Sequence, residues 1–155
     1  MVNLSTDRID LEILRALLED SKASLRKVAK HVGLAPGTVL SRIERIKKQG
    51  ILRRYTISLD YEKLGYSTAI TEITVSKGKL VEVEEQLAKL PGVCAVYDVT
   101  GEIDAIVVVK FKDTAELSKF TKRVLSIPNV ERTNTHVVLT TVKEDFNLAL
   151  WERGG

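Results

Sequence analysis

The sequence has very few of the residues that build disulfides, metal clusters and catalytic triads. Its 155 residues include one cysteine, Cys94, and two histidines, His31 and His136. A single cysteine excludes an intramolecular disulfide and a thiolate metal cluster within one chain, and we expect Cys94 to be a small buried apolar residue. Neither histidine has a nucleophile and an acid near it in sequence, and no phosphate-binding loop or metal-ligand spacing occurs. The sequence therefore predicts a protein that is not an enzyme and needs no metal or organic cofactor.

Long apolar runs are missing as well. The longest uninterrupted aliphatic stretch, residues 105–109, is far shorter than a membrane span. The first ten residues carry Asp7 and Asp10, where a secretory signal would carry an apolar core. We therefore expect a soluble cytoplasmic protein with no membrane partner.

Acidic residues are almost absent from one stretch of the chain. Between Lys22 and Tyr55, Glu44 is the only acid against ten basic residues, which gives this stretch a charge of +9. Residues 1–60 carry +5 and residues 61–155 carry −2, which together give the net +3 of the chain. This asymmetry predicts two domains with separate tasks, at residues 1–60 and 61–155. The basic stretch is typical of a surface that binds nucleic acid.

The basic stretch lies on a pattern of three short amphipathic helices. Apolar residues recur at helical spacing in the first helix: Ile9, Ile13, Leu14, Leu17 and Leu18. Ser5 or Thr6 can cap this helix, and Ser24 can cap the second. Gly33 can supply the left-handed residue that ends the second helix, and Pro36 fits the first position of the third.

The third helix has one apolar face and one polar, basic face. At about 100° per residue, Val39, Ile43 and Ile46 share the apolar face. The other face carries Thr38, Ser41, Arg42, Arg45 and Gln49. Two helices joined by a tight turn, the second with such a face, are typical of a helix-turn-helix whose second helix enters the major groove of DNA. The two arginines can bind guanine or phosphate, and the two hydroxyls can bind bases or backbone. The alternative is an ordinary three-helix bundle with a solvated charged face, and the shortage of acids argues against it.

Residues 51–60 follow the third helix and are rich in β-branched and aromatic residues, which is typical of extended chain. Arg53 and Arg54 stand at the start of this segment. We predict a wing that lies on the DNA phosphates, with both arginines in contact with DNA. The first domain is thus expected to be a winged helix-turn-helix.

The second domain contains an internal repeat displaced by 37 residues. Leu80, Val83, Leu87, Leu90, Pro91 and Val93 correspond to Leu117, Phe120, Val124, Ile127, Pro128 and Val130. Each copy is a helix that ends at a proline, and strand-like stretches flank the helices at residues 67–75, 93–100, 103–111 and 131–142. The order βαββαβ predicts an α+β, ferredoxin-like domain with one antiparallel sheet and both helices on one face. The uncovered sheet face predicts a homodimer formed face to face.

The turn at residues 100–104 combines a glycine with a carboxylate. Gly101 lets the backbone approach a small ligand closely. Alternation along the next strand puts Asp104 on the same side as Ile106 and Val108, and a carboxylate near a buried environment needs a partner. Two interpretations stay open, a turn that binds a ligand and a plain hairpin turn in which Asp104 pairs with a lysine.

In order and spacing, the motifs of both domains resemble the Lrp/AsnC family of feast/famine regulators, prokaryotic transcription regulators, over nearly the entire chain. These motifs are Gly33-Leu34, Thr38-Val39, Arg42-Ile43, Arg45-Ile46, Gln49-Gly50-Ile51, Pro91-Gly92-Val93 and Thr100-Gly101-Glu102-Ile103-Asp104. The resemblance implies a carboxy-terminal domain that forms dimers and then octamers or other rings. It also implies that a free amino acid binds between neighbouring dimers, beside Gly101 and Asp104. Tyr97, Thr133 and Thr135, on adjoining strands, are further candidates for effector binding.

Two departures from the family pattern concern particular residues. The family's serine before the third helix is Ala35 here, so that helix lacks a side-chain cap. The tail at residues 146–151 has no counterpart, and we expect it to pack on the second domain or between subunits.

The expected function is a sequence-specific DNA-binding transcription regulator whose assembly or DNA binding is modulated by an amino-acid effector. Its expected partners are double-stranded DNA, further copies of the chain and the free amino acid. The alternative is an architectural protein that compacts DNA with little sequence preference and no effector.

Overall fold

The computed structural model describes residues 6–146, and the chain divides into two compact units. The first unit contains the described residues up to Ser58 together with those from Lys143 onward, and the second is Leu59–Val142. The sequence assigns everything after residue 60 to the second domain, whereas residues 143–146 group with the first unit. Ser5 and residues 147–151 of the tail lie outside the described residues. No helix between residues 6 and 146 combines the length and the apolar surface needed to cross a lipid bilayer.

The first unit contains three helices, α1 (Arg8–Glu19), α2 (Leu25–Val32) and α3 (Pro36–Lys48). Their apolar faces meet in one core, built from Ile13, Leu17, Val28, Ala29, Val39 and Ile43. The apolar face of α3 is buried here, and Thr38, Ser41 and Arg45 on its other face are exposed. The predicted helix-turn-helix and the predicted division of α3 into two faces are confirmed.

The first helix is capped by Asp7, which was not one of the expected caps. Asp7 accepts a hydrogen bond from the backbone amide of Asp10 (2.9 Å), and the Asp10 carboxylate accepts one from the amide of Asp7 (3.1 Å). The expected cap at Thr6 or Ser5 is therefore wrong. A reciprocal pair of this kind satisfies two free amides at once, whereas a lone hydroxyl satisfies one.

The two ends of α2 and the start of α3 have the residues and conformations that were predicted from the sequence. Ser24 accepts a hydrogen bond from the Lys27 amide (3.2 Å), and Gly33 adopts φ +71° at the end of α2. Pro36 is the first residue of α3, and Ala35 before it makes no side-chain capping bond. These four predictions are confirmed.

Residues 51–60 form no strand, since every strand among residues 6–146 lies in the second unit. The predicted wing is therefore not formed, although the helix-turn-helix is. A β-branched, extended segment forms a ladder only when a second strand is available to pair with it. The described part of the first unit offers none.

The second unit has the predicted element order. Its elements are β1 (Ser67–Val75), α4 (Leu80–Leu87), β2 (Val93–Asp98), β3 (Ala105–Phe111), α5 (Thr114–Ser126) and β4 (Val130–Val137). The sheet order is β2-β3-β1-β4, and all three pairings are antiparallel. This topology confirms the ferredoxin-like βαββαβ prediction.

The two faces of the sheet have different surroundings. The helices cover the face that carries the buried side chains of β1 and β3, such as Ala69, Ile73 and Val107. Alternation places the remaining side chains on the opposite face, here called the open sheet face. It includes Ile70, Glu72, Tyr97, Ile106, Val108, Asn134 and His136. Neither helix of the second unit covers this face, and at one end of it Lys110 Nζ lies 5.0 Å from the centre of the Tyr61 ring.

Cys94 is exposed, so the expectation of a small buried residue is wrong. The β2–β3 register shifts between Val93 and Ala95. This shift takes Cys94 out of the alternation that would bury it, and β2 is an edge strand with solvent beside it. Its Sγ lies 3.4 Å from the carbonyl oxygen of Gly92.

Candidate nucleic-acid interface and ligand pocket

The solvent side of α3 begins with two hydroxyl side chains. Thr38 and Ser41 are both exposed in the first half of the helix, and Lys47 and Lys48 are exposed at its end. In a helix-turn-helix, the early residues of the second helix reach base edges and charged residues contact phosphate. The surface is therefore chemically suited to duplex DNA.

The two arginines predicted on this face are engaged within the protein. Arg42 Nη1 lies 2.6 Å from Asp7 Oδ2 and 2.9 Å from Asp10 Oδ1. Arg45 Nη2 donates to Asp10 Oδ2. The Asp10 side chain is 0% exposed, so two guanidiniums on α3 share one buried carboxylate on α1. We call these four residues the Asp–Arg cluster.

The contacts within the Asp–Arg cluster shift the pKa values of Asp7 and Arg42. The hydrogen bond from Arg42, followed by that from the Asp10 amide, lowers the pKa of Asp7. The hydrogen bonds to Asp7 and Asp10 raise the pKa of Arg42. Both shifts favour the ionised forms of Asp7 and Arg42.

The contacts of Asp7 and Asp10 with the two arginines of α3 were not predicted from the sequence. In the sequence the aspartates argue only against a secretory signal, and the arginines are expected to reach DNA. One signal was present, because residues 7 and 10 have the same spacing as residues 42 and 45, which places each pair on one helix face. What the sequence did not reveal is that these two faces meet.

The other predicted DNA-contacting residues have different surroundings. Gln49 caps the end of α3, and its side-chain oxygen is buried without a hydrogen-bond partner. Arg53 and Arg54 are exposed in the segment after α3. Arg54 also lines an apolar cavity of about 690 Å³ together with Leu14 and Ile51.

Immediately before β3, Asp104 forms hydrogen bonds with the backbone of β1. Its Oδ2 accepts a hydrogen bond of 2.7 Å from the Val75 amide, and its own amide donates to the Ile73 carbonyl (3.0 Å). The partner of its carboxylate is thus a backbone amide rather than the lysine of the plain-turn interpretation. Gly101, three residues earlier, has φ +130° in an exposed turn, a backbone region that favours glycine.

The further effector candidates do not converge within one chain. Tyr97 lies on β2 and points to the open sheet face, since it pairs with Ile106. Thr133 and Thr135 lie on β4, at the opposite edge of the sheet, and point to the helix-covered face. Thr135 Oγ1 is 3.0 Å from Thr71 Oγ1. A ligand that contacts all of these residues needs more than one copy of the chain.

A polar cavity of about 150 Å³ lies beside the turn that contains Gly101. It is lined by Glu72, Thr74, Glu102, Ile103, Arg132 and Asn134. Asn134 Nδ2 donates to Glu72 Oε2 at 3.0 Å, and His136 Nε2 lies 3.6 Å from Glu72 Oε1. Carboxylates and a guanidinium around one cavity are complementary to the ammonium and carboxylate of an amino acid.

This cavity was not predictable from the sequence because it depends on the pairing of β1 with β4. Glu72 and Asn134 are opposite each other across that pairing but 62 residues apart in the chain. A one-residue change of register would turn either side chain to the other face.

Comparison with known proteins covers both units. Residues 7–47 match the AsnC-type helix-turn-helix domain, and residues 68–148 match the Lrp/AsnC ligand binding domain. A helix-turn-helix transcriptional regulator of Pyrococcus horikoshii is 46% identical over 146 residues, which cover 94% of this chain and 99% of that protein. The regulator FL11 of the same organism is 40% identical and covers 93% of this chain and 96% of its own length.

A solved structure gives the same result for the fold. The complex of a Neisseria meningitidis transcriptional regulator with L-Met superimposes with a TM-score of 0.82 at 26% identity, covering 94% of this chain and 97% of that one. Both family matches lie in the order that the two units have here, the helix-turn-helix first. The chain belongs to the Lrp/AsnC family and is a transcriptional regulator with a DNA-binding helix-turn-helix and a ligand-binding domain.

Proposed function

We propose that this regulator binds specific DNA sequences through α3 and that a free amino acid modulates its DNA binding or its assembly. The observation that carries the proposal is the combination, on one unit, of exposed hydroxyls at the start of α3 with a strongly basic surface around it. Glu44 is the only acid among ten basic residues between Lys22 and Tyr55. Basic charge supplies affinity for any duplex, and the hydroxyls of Thr38 and Ser41 supply groups that distinguish bases.

The salt dependence of binding tests the role of charge. A protein that neutralises about six phosphates loses roughly 10³-fold in affinity between 50 and 200 mM salt. We expect a loss of this order when a labelled random duplex is titrated and followed by fluorescence anisotropy. A flat profile would contradict the DNA-binding role of the basic surface.

Sequence preference separates this proposal from the architectural alternative. A duplex enriched from a random pool by the protein itself should bind at least about 10³-fold more tightly than its scrambled version at physiological salt. Equal affinity for both would favour a protein that compacts DNA without reading it. Replacing Thr38 and Ser41 together with alanine should reduce the preference while the affinity for the scrambled duplex stays the same.

For the effector, the polar cavity beside the Gly101 turn supports a compact amino acid. Its volume is below the roughly 300–1,000 Å³ of typical small-molecule pockets. We assign the ammonium of the ligand to Glu72 and Glu102 and its carboxylate to Arg132. The L-Met complex of the Neisseria meningitidis protein shows an amino acid on a protein with the same fold.

The five predicted effector residues enter this proposal in two groups. Gly101 and Asp104 shape the turn that brings Glu102 to the cavity. Tyr97, Thr133 and Thr135 would contribute from a neighbouring copy of the chain, because one copy does not bring them together.

A thermal-shift screen of the twenty amino acids tests the effector. A specific ligand raises the melting temperature in proportion to the logarithm of its concentration over its dissociation constant. We expect one or a few amino acids to act, and Arg132→Ala to remove the shift. Arg123→Ala is the matched control, because Arg123 lies on α5, on the other side of the sheet from the cavity. This variant should keep the thermal shift. If no amino acid stabilises the protein, or if Arg132→Ala responds like the wild type, the assignment fails.

We also infer that two chains associate through the open sheet face. Ile70 and Tyr97 are 37% and 46% exposed there, and Ile106 and Val108 are half-buried beside them. Contact with a second copy would bury this surface. Such a dimer carries two α3 helices, which suits a two-fold operator with half-sites about 34 Å apart or a multiple of that distance. Glu72 and Asn134 of the polar cavity lie on this same face, so the second chain of the dimer would border the effector site, and octamers or other rings of these dimers would complete it.

A further inference from the structure

The Asp–Arg cluster joins α1 to α3 through a closed set of hydrogen bonds. Asp7 Oδ1 accepts the amide of Asp10, Asp10 Oδ2 accepts the amide of Asp7, and Arg42 Nη1 donates to both carboxylates. Arg45 adds one further bond, to Asp10. The two arginines are therefore held to different degrees.

Exposure separates the two arginines in the same sense. The Arg42 side chain is 24% exposed and touches two carboxylates, whereas the Arg45 side chain is 44% exposed and touches one. If Arg45 turned away, the Asp10 carboxylate would keep Arg42 and the Asp7 amide as partners. If Arg42 turned away, Asp10 would lose one bond in the same way, and Asp7 would lose its guanidinium as well. Removing one partner of a buried ion pair is costly, so Arg45 is the arginine that can leave.

Charge compensation points the same way. Two acids, Asp7 and Asp10, lie beside Arg42, so its positive charge is already balanced inside the protein. Arg45 lies in the second half of α3, beyond the early residues with which a helix-turn-helix contacts base edges. A guanidinium there is suited to a phosphate.

We propose that Arg42 is a positioning residue that fixes α3 on α1 and does not contact DNA, whereas Arg45 leaves Asp10 and binds a DNA phosphate. This inference rests on the proposed DNA-binding function and gives separate roles to two residues that the sequence placed on one reading face. The orientation of the Thr38 and Ser41 side chains on the DNA then depends on Asp7, Asp10 and Arg42.

The first test measures the salt dependence of binding to a random duplex for three variants. Each phosphate contact contributes about 0.9 to the slope of log affinity against log salt. Arg45→Gln should make the negative slope less steep by about 0.9. Arg42→Gln should leave the slope unchanged, because the charge of Arg42 is already balanced by Asp7 and Asp10. Lys122→Gln, an exposed charge on α5, is the control for removing one positive charge elsewhere and should also leave it unchanged.

The second test measures the preference for a selected duplex over its scrambled version. Arg42→Gln should reduce this preference at least about tenfold, which is the order of one lost base contact, while Arg45→Gln keeps it within a few-fold. Asp7→Asn covers the case in which Arg42→Gln does not fold, since asparagine also caps a helix. A positioning Arg42 predicts a lower preference in Asp7→Asn, because the guanidinium loses an anchor. An Arg42 that reads bases predicts the opposite, because it is released toward DNA.

The results of these tests distinguish a failure of this inference from a failure of the proposed DNA-binding function. Three results would each overturn the inference and leave the regulator function intact. They are a less steep salt dependence in Arg42→Gln, an unchanged salt dependence in Arg45→Gln, and a higher preference for the selected duplex in Asp7→Asn. A wild-type protein with no preference for any duplex would overturn both.

Discussion

The Asp104 carboxylate accepts a 2.7 Å hydrogen bond from the Val75 amide, at the point where the pairing of β1 with β4 shifts register between Thr74 and Val75. The side chain thus supplies an acceptor where the regular ladder is interrupted. Because Asp104 also belongs to the proposed effector site, we expect a change at this position to affect both the sheet and the response to the ligand.

Two substitutions at Asp104 separate these effects. Asp104→Ala leaves a buried amide without an acceptor and should lower the free energy of unfolding by about 1–3 kcal/mol in urea titrations. Asp104→Asn keeps an oxygen at the same place and should cost less than alanine does. If the asparagine variant is stable yet no longer responds to the amino acid in calorimetry, the charge itself is needed. A response equal to that of the wild type would place the effector site elsewhere.

The open sheet face predicts a single-residue effect on assembly. Ile70→Arg puts a charge in the centre of the proposed contact, where it would lose water without gaining a partner. We expect dimers to dissociate into single chains in analytical ultracentrifugation at micromolar concentration. Val81→Arg introduces the same charge on the exposed side of α4 and should leave the dimers intact. If Ile70→Arg sediments like the wild type, the two chains associate through another surface.

Gly92 and Gly78 form a matched pair for the cost of a side chain at positive φ. Their φ values are +80° and +79°, but only at Gly92 would a Cβ atom meet the Lys110 carbonyl oxygen, at 2.5 Å. Gly78→Ala should cost about 1 kcal/mol from backbone conformation alone. Gly92→Ala should cost roughly 1–3 kcal/mol more because Lys110 has to move. Equal melting temperatures for the two variants would contradict the steric account.

Acid should weaken the Asp–Arg cluster. Because the pKa of Asp7 is lowered in the folded state, its contribution to stability is fully present above the unfolded value, about pH 4. It is lost as the pH falls through the lower folded value. Compared with Asp7→Asn, the wild type should therefore be more stable at pH 7, and this difference in unfolding free energy should shrink toward pH 3. A difference that stays constant over this range would exclude a role for the Asp7 charge.

Local features of the fold were predictable because neighbouring residues determine them. Ser24 and Gly33 mark the ends of α2 by cap chemistry. The β1 strand, Ser67–Val75, has the predicted bounds because alternation and β-branched residues define it. The repeat of helix and proline was enough to give the order of elements in the second unit.

Features that depend on distant contacts were not predictable. Arg42 and Asp10 are 32 residues apart, and nothing near either residue indicates that they meet. Cys94 was misjudged because a shift in strand register changed which way it faces. The predicted wing does not form for a similar reason. Strand propensity in residues 51–60 is not sufficient without a partner strand.

The exposed position of Cys94 has a practical consequence. As the sole thiol of the chain, it accepts one maleimide fluorophore per subunit, with no need to mutate other sulfurs first. Mixing donor-labelled and acceptor-labelled protein then turns subunit exchange into an energy-transfer signal. The kinetics of assembly, with and without an amino acid, become observable in native sequence.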